Sequence, residues 1–381
     1  MILHRVFLFS IALLIAAGCQ NSSTDSEAAE EEQEQQLTAR SFSMGFTTFP
    51  YSATSEAQQS VYDGIAQHAD IVAHHFDNGV PWVEALSGDP FHPNIIAEWQ
   101  GRLDNIPDGH RILLSITPIS ITRDALALYR GENPDMPLPD PWNTYGFNHP
   151  DVIAAYVNYS RRIIQFFDPD WVILGIESNL LKANVPGDWD AYAELHRETY
   201  VQLKEAFPRL PLAASMTGVN LLEGYTDTDL SAQRAALDDL LSHMDFLGIS
   251  LYPYFSKYLT DEIPNDMFDE VFALSGGKQI GFTETGYPAE SFSVFDGSLV
   301  FNSSISKQNS YIDQLLEACQ ANGAAFAINF VYRDYDQLWQ QIGSPDDVNK
   351  MWRDTGLLDE DGAQRPAFDT WKNWLNKPLT N

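Results

Sequence analysis

The chain has 381 residues, 44% of them hydrophobic and 20% charged, a globular mix with ample material for a core. Acidic residues number 53 against 22 basic ones, a formal net charge of −31, and such a surface repels phosphate backbones and counts against nucleic acid as a partner. Aromatic residues make up 12%, enough for a large core or for a cleft with stacking rings, and the length suits either several domains or one α/β barrel.

The N-terminus does not read as part of a fold. Residues 1–5 carry charge, residues 6–17 are apolar, and Ala16-Ala17-Gly18-Cys19 is a run of small residues ending in Cys. The apolar run is shorter than the roughly 20 residues a spanning helix needs. This segment resembles the signal of bacterial lipoproteins, in which the Cys is lipidated and becomes the mature N-terminus. The resemblance implies a lipid on Cys19 and a membrane anchored through it, with a plain secretory signal as the competing reading. Gln20 follows where an Asp would hold a lipoprotein at the inner membrane, which points to the outer membrane of a bacterial envelope. Residues 20–40 are polar and acidic around Glu30-Glu31-Glu32 and read as a disordered tether. The only other cysteine, Cys319, falls in an amphipathic stretch and reads as a small core residue, so with Cys19 lipidated no disulfide forms within one chain.

From residue 41 to the end, runs of β-branched and aromatic residues alternate with helical periods. Strands are expected over 43–49, 70–76, 110–119, 170–177, 210–217, 245–252, 279–284 and 326–332. Helices are expected over 55–68, 93–105, 150–167, 189–207, 230–243, 265–274, 306–322 and 366–375, with Pro150 near one start and Asn322-Gly323 closing another. Strict alternation implies parallel strands with helical crossovers, and eight repeats imply a single-domain (β/α)8 barrel. A doubly wound open sheet is the competing fold. No Gly-rich phosphate loop follows any strand, and no cofactor is implied.

Catalytic residues of a barrel stand at the C-terminal ends of its strands. Two carboxylates are expected there: Glu177 after Trp171-Val172-Ile173-Leu174-Gly175-Ile176, and Glu284 after Gln279-Ile280-Gly281-Phe282-Thr283. Two acids facing one cleft are the equipment for glycoside hydrolysis: one attacks the anomeric carbon or activates water, and the other protonates the leaving oxygen. Period-2 geometry puts Gly175 and Glu177 on one face of the fourth strand. His74 and His75 are expected on opposite faces of the second, one lining the cleft and one under a helix. Asp77 and Trp82 follow in a strand-end loop, and Trp142 lies in a long Pro-rich loop over 120–149; together with Tyr332 after the eighth strand they are candidate sugar contacts. No metal-ligand spacing converges on the histidines, and no metal is expected.

Glu284-Thr285-Gly286-Tyr287-Pro288 resembles the end of the seventh strand in the large retaining clan of barrel glycosidases, clan A, notably its endo-β-galactanases and β-glucanases. Gly248-Ile249-Ser250-Leu251-Tyr252-Pro253 is similar to their sixth strand, and the tail from Gly356 through Arg365-Pro366-Ala367-Phe368 to Trp371 is similar to the close of their catalytic domains. The resemblance implies Glu284 as nucleophile, Glu177 as acid/base and Tyr252 beside the nucleophile. It also implies a retaining, endo-acting β-glycanase on a polysaccharide, expected to work as a monomer. Two positions depart from the clan. Ile176 stands where Asn usually precedes the acid/base, with Asn179 the candidate to replace it, and His74-His75-Phe76-Asp77 stands where an Arg usually ends the second strand. A non-catalytic glycan-binding lipoprotein on the same barrel and a transglycosylase are the alternatives.

Overall fold

A computed structural model describes residues 39–259, 261–343 and 347–380, so Cys19 and the tether up to residue 38 lie outside the described residues. Arg40, expected at the end of the tether, already belongs to the fold. Its backbone bridges to Leu379, and its guanidinium pairs with Asp70 at 2.5 Å.

The strands are β1 (Ser43–Thr47), β2 (Ile71–Phe76), β3 (Arg111–Ile116), β4 (Trp171–Ile173), β5 (Leu212–Ala213), β6 (Ser215–Thr217), β7 (Leu247–Leu251), β8 (Ile280–Thr285), β9 (Phe292–Val294), β10 (Leu299–Phe301) and β11 (Phe326–Asn329). Nine of them form one parallel sheet in the order β5-β4-β3-β2-β1-β11-β8-β7-β6, while β9 and β10 make a separate antiparallel hairpin. The two ends of the sheet, β5 and β6, are halves of the fifth strand interrupted at Ala214. The gap is bridged when Leu174 N–H donates to the Ala213 carbonyl at 2.7 Å and Ser215 N–H donates to the Gly175 carbonyl at 2.8 Å. The sheet therefore closes, and the fold is a single-domain (β/α)8 barrel.

All eight expected helices are present close to their expected bounds. Their ends follow local chemistry. Thr54 and Ser304 accept from backbone N–H groups at 3.1 and 3.2 Å as N-caps, Pro93, Pro150 and Pro366 open helices, and Gly323 at φ 63° closes Ile305–Asn322. Three short helices, Trp82–Ser87, Asn179–Asn184 and Asp336–Gln341, and the β9–β10 hairpin were not legible as repeats. Several strands stop short of the expected ranges: β3 ends at Ile116, β4 at Ile173 and β11 at Asn329. The residues beyond those points are the ones whose directions sequence periodicity misjudges.

An aromatic plug closes the lower barrel. Phe326 meets Trp171 and Phe246 at ring-centroid distances of 5.2 and 5.8 Å, and Arg111 lies over the Trp171 ring at 5.7 Å. Gly281 makes room for it, since a Cβ there would stand 2.4 Å from the Phe326 ring. Above the plug, β8 carries one residue more than either neighbour. Phe282 pairs with Ile249 and Ala327, but Glu284 pairs with Ser250, and Thr285 pairs with Leu251 and Asn329. Phe282 packs outward on Phe268 and Phe272, and Thr285 reaches outward to Tyr311. Strict alternation would put these two on opposite faces. The bulge lets both face the helices and leaves Glu284 to turn into the mouth.

Candidate active site

Glu284 and Glu177 come together at the C-terminal mouth of the barrel, where both bear on Tyr252 and Glu284 feels the charge of Glu177. Their side chains are 16% and 20% exposed. Burial raises the proton affinity of both. At Glu284 burial acts together with the charge of Glu177 and pushes the pKa up to about 8. At Glu177 burial again comes first, with the Arg123 guanidinium opposing it and Asp77 adding to it. Out of bulk water, and with the charge of Glu177 bearing on Glu284, the two carboxyls do not both ionise readily.

Glu177 is delivered by a bend, not by a strand. After Ile173 the chain leaves β4, and Glu177 sits in the left-handed region at φ 50°. That conformation costs a non-glycine residue roughly 1 kcal/mol or more. Ser215 holds it, its hydroxyl accepting the Glu177 N–H and its carbonyl accepting the Ser178 N–H, both at 2.9 Å. Thr217 then donates its hydroxyl to Oε1 of Glu177 at 3.3 Å. Gly175 does not share a face with Glu177 as strand periodicity predicts. A Cβ on Gly175 would meet the Tyr192 hydroxyl at 2.1 Å, so that position faces the helix Trp189–Ala206. The strand ends two residues earlier, and the alternation ends with it.

The expected partners divide. His75 faces the mouth with Nδ1 3.8 Å from Oε1 of Glu284, while His74 is buried against Tyr62 and Phe167, so the two do take opposite faces. Burial depresses the His75 pKa to about 4, so this is a neutral imidazole beside a carboxyl and not an ion pair. Tyr252 is buried next to Glu284. Its hydroxyl favours the charged carboxylate but falls short of a well-formed hydrogen bond, leaving its oxygen without a full partner. Asp77 stands in the mouth and accepts a bidentate pair from Arg123 at 3.1 and 2.6 Å.

Four expected sugar contacts lie elsewhere. Trp82 and Trp142 are fully or nearly fully buried and stack on each other at 5.7 Å, with Trp82 Nε1 donating to the Ala127 carbonyl at 2.9 Å. They form the core of the long loop, because a loop of that length needs apolar contacts of its own to hold a shape. Asn179 is fully buried. Its side chain accepts from Thr217 N–H at 2.8 Å and donates to Gln233 at 2.8 Å, so it splices the end of β6 to the helix Leu230–Leu241 and is not the sugar contact expected of it. Tyr332 packs on Phe46 and Phe368, its hydroxyl 3.1 Å from His68 Nδ1, outside the barrel. With β11 ending at Asn329, Phe330 is the aromatic that reaches the mouth side. It lines a cleft of about 480 Å³ with Phe49, Pro50, His75, Glu98 and Arg102.

Arg123 is the site residue that the sequence conceals. It lies in the long loop, at φ 56°, and nothing around Ser120-Ile121-Thr122-Arg123-Asp124 marks it as a partner for residues 77 and 177. Acidic residues also gather beyond β11, where Asp334, Asp336 and Asp354 converge. Guanidiniums already occupy that cluster: Arg365 pairs with Asp334 at 2.6 Å, and Arg353 with Asp336 and Asp354 at 3.1 and 2.7 Å.

No protein-family model and no curated protein sequence matches the chain. Solved structures do. An exo-β-1,4-mannosidase from Opitutaceae bacterium strain TAV5 is similar with a TM-score of 0.59 at 15% identity over 88% of this chain, which spans 59% of the length of that protein. A GH5_18 protein from Bifidobacterium longum subsp. longum ATCC 55813 gives a TM-score of 0.62 at 10% identity, covering 89% of this chain and 81% of that one. Xylanase 10B from Thermotoga maritima gives 0.55 at 14% identity, covering 91% and 97%. At these identities the likeness shows the fold, a (β/α)8 barrel of the kind that carries these glycosidases.

Proposed function

We propose that the chain is a glycoside hydrolase that cleaves a β-linked polysaccharide by double displacement, with Glu284 as nucleophile and Glu177 as acid/base. The observation that carries this reading is the convergence of two buried carboxyls at the ends of β4 and β8, in one mouth. Glu284 attacks the anomeric carbon while Glu177 gives its proton to the departing oxygen. Glu177 then takes a proton from water as that water releases the sugar from Glu284. Tyr252 favours the charged form of Glu284. Phe330 offers an apolar face in the cleft that His75 also lines. The barrels similar to this one include an exo-β-1,4-mannosidase and a xylanase; internal cleavage of a β-linked glycan backbone is the mode proposed here. We also propose that the enzyme acts as a monomer held by lipid on Cys19 at the outer membrane.

The test is a panel of β-mannan, β-xylan, β-1,4-galactan and β-1,3-glucan incubated with the soluble domain, with reducing ends measured. Release from at least one glycan, abolished in Glu284→Gln and Glu177→Ala, is expected. For Glu177→Ala, substrates with activated leaving groups should still react, and azide should yield a glycosyl azide of retained configuration. Binding without release would overturn the hydrolase reading in favour of a glycan-binding barrel, and products longer than the substrate would make the enzyme a transglycosylase.

A further inference from the structure

The cleft of about 480 Å³ on the side of β1 and β2 takes no part in the proposed steps. Its inner end adjoins the reacting centre, because His75 lines it and also stands 3.8 Å from Oε1 of Glu284. From there it runs between the helices Ser55–His68 and Pro93–Asp104. Ala97, Gly101 and Asn105 line it at four-residue spacing, so it follows the second helix for about 12 Å. In a barrel the helix after a strand runs back toward the opposite end, so the cleft descends from the mouth into the helical layer. Its volume lies within the roughly 300–1,000 Å³ of small-molecule sites.

Two kinds of surface meet in it. Phe49, Pro50 and Phe330 form an apolar side. Phe49 packs on Phe330 and Tyr335 at ring-centroid distances of 5.2 and 5.1 Å, so the half-buried rings of Phe49 and Phe330 are held in place. Glu98 and Arg102 form a polar side. Arg102 donates to Oε1 of Glu98 at 2.8 Å and to the His75 carbonyl at 3.2 Å, and Arg130 donates to Oε2 of Glu98 at 3.0 Å. The side chains of Arg102 and Glu98 are 24% and 23% exposed, so the pair is fixed in position and still within reach of a ligand. A carboxylate accepts from hydroxyls and a guanidinium donates to them, and adjacent hydroxyls of a sugar can do both at once. The C–H face of the same ring suits the apolar side. Arg102 is already paired with a carboxylate, which favours a neutral sugar over an acidic one.

We propose that this cleft is a specificity subsite for a neutral sugar branching from the glycan unit held at Glu284, so that the enzyme prefers a substituted backbone to a bare one. The proposal takes Glu284 as the reacting centre and in that respect rests on the function above. A main chain lying across the mouth passes over the head of the cleft, and a unit branching from it is what descends between the helices.

The experiment compares bare and branched oligosaccharides of equal backbone length: β-1,4-manno-oligosaccharides with and without galactosyl branches, and β-1,4-xylo-oligosaccharides with and without arabinosyl branches. The kcat/KM of each is measured for the wild type and for Gly101→Trp. Gly101 is exposed on the helical wall, and a Cβ there meets nothing within 4 Å, so an indole fills the cleft without displacing the core. The expected result is that the branched member of at least one pair is preferred by about tenfold or more. In Gly101→Trp that preference is lost through a higher KM for the branched member, while the bare member is cleaved as before. Phe49→Ala removes part of the apolar side, weakens the same preference, and carries the test if Gly101→Trp fails to fold. Preference for the bare member in both pairs, or a branch preference that both substitutions leave intact, overturns the proposal. Release of single units from chain ends, suppressed in Gly101→Trp, also overturns it by making the cleft the seat of a chain end. Calorimetric binding of the same pairs to Glu284→Gln, with and without Gly101→Trp, keeps the two readings apart. Tighter binding of a branched member, lost with Gly101→Trp, in a protein that cleaves nothing leaves the subsite standing and removes the hydrolase reading; cleavage with no branch preference removes the subsite alone.

Discussion

Replacing Glu284 with Gln should stabilise the protein as it silences it, and the gain should depend on pH in one direction only. The carboxyl is 16% exposed, and burial with the charge of Glu177 moves its pKa from an ordinary 4.5 to about 8. Between those values the unfolded chain has lost a proton that the folded chain retains. Stability therefore falls as pH rises, and the contribution of the protonated carboxyl, complete below the unfolded value, is gone once pH passes the folded one. At about 1.4 kcal/mol per pH unit the full span amounts to roughly 5 kcal/mol. Gln has nearly the same shape and no proton to lose. Above the folded value the substitution also removes a negative charge near Glu177, which works in the same direction. Urea unfolding followed through the 9 tryptophans, at intervals across the acid and neutral range, measures the gap between the two proteins. The curves should coincide near about pH 4, separate steadily above it, and differ by roughly 3–5 kcal/mol above about pH 8, with Glu284→Gln the more stable. Titrating groups remote from the pair are common to both proteins and cancel. A gap that does not vary with pH, or a wild type more stable than the variant in mild alkali, would refute the argument that an unrelieved buried carboxyl sits at this position.

Thr285 donates its hydroxyl to the Leu251 carbonyl at 2.7 Å and meets the Tyr311 hydroxyl at 2.5 Å, pinning the strand directly beside Glu284. Thr285→Val should cost about 1–3 kcal/mol in chemical unfolding and lower turnover, while Thr285→Ser, which keeps the hydroxyl, should lose less; equal losses would show that the methyl and not the hydrogen bonds matter there. Cys319 is fully buried and its thiol is pushed well above the ordinary range by burial, so a thiol reagent should leave the native protein unmodified and react with one cysteine of the soluble domain in urea; prompt reaction under native conditions would contradict that packing. Cys19→Ser should move the full-length chain from the membrane to the soluble fraction and remove the acyl mass from its N-terminal peptide, and unchanged partition would mean another anchor operates.

The departures from sequence reasoning share a cause. Periodicity states which face a side chain takes only while the strand lasts, and the site lies just past the strand ends. Tyr332 is three residues beyond the last residue of β11, and Gly175 two beyond the last of β4, and both point to the helices. Trp82, Trp142 and Asn179 have residue types that suit sugar binding. Each is instead consumed by packing or hydrogen bonds to segments distant in the chain, which burial reveals and residue type does not.

The sequence by itself determined the alternation of eight strands and helices, hence the parallel barrel, and the placing of Glu177 and Glu284 at the C-terminal ends of two strands. Those features are local, written in hydrophobic period, helix caps and the turn residues that follow each strand. Only the tertiary structure decided how the carboxyls are aimed and charged. One extra residue in β8 turns Glu284 inward, the Ser215 hydroxyl and carbonyl hold Glu177 in a left-handed bend, and an arginine 46 residues along the chain from Asp77 supplies the cation between Asp77 and Glu177. Each of these depends on register or charge between segments distant in the chain, and interactions of that kind leave no periodic mark on the segments that make them.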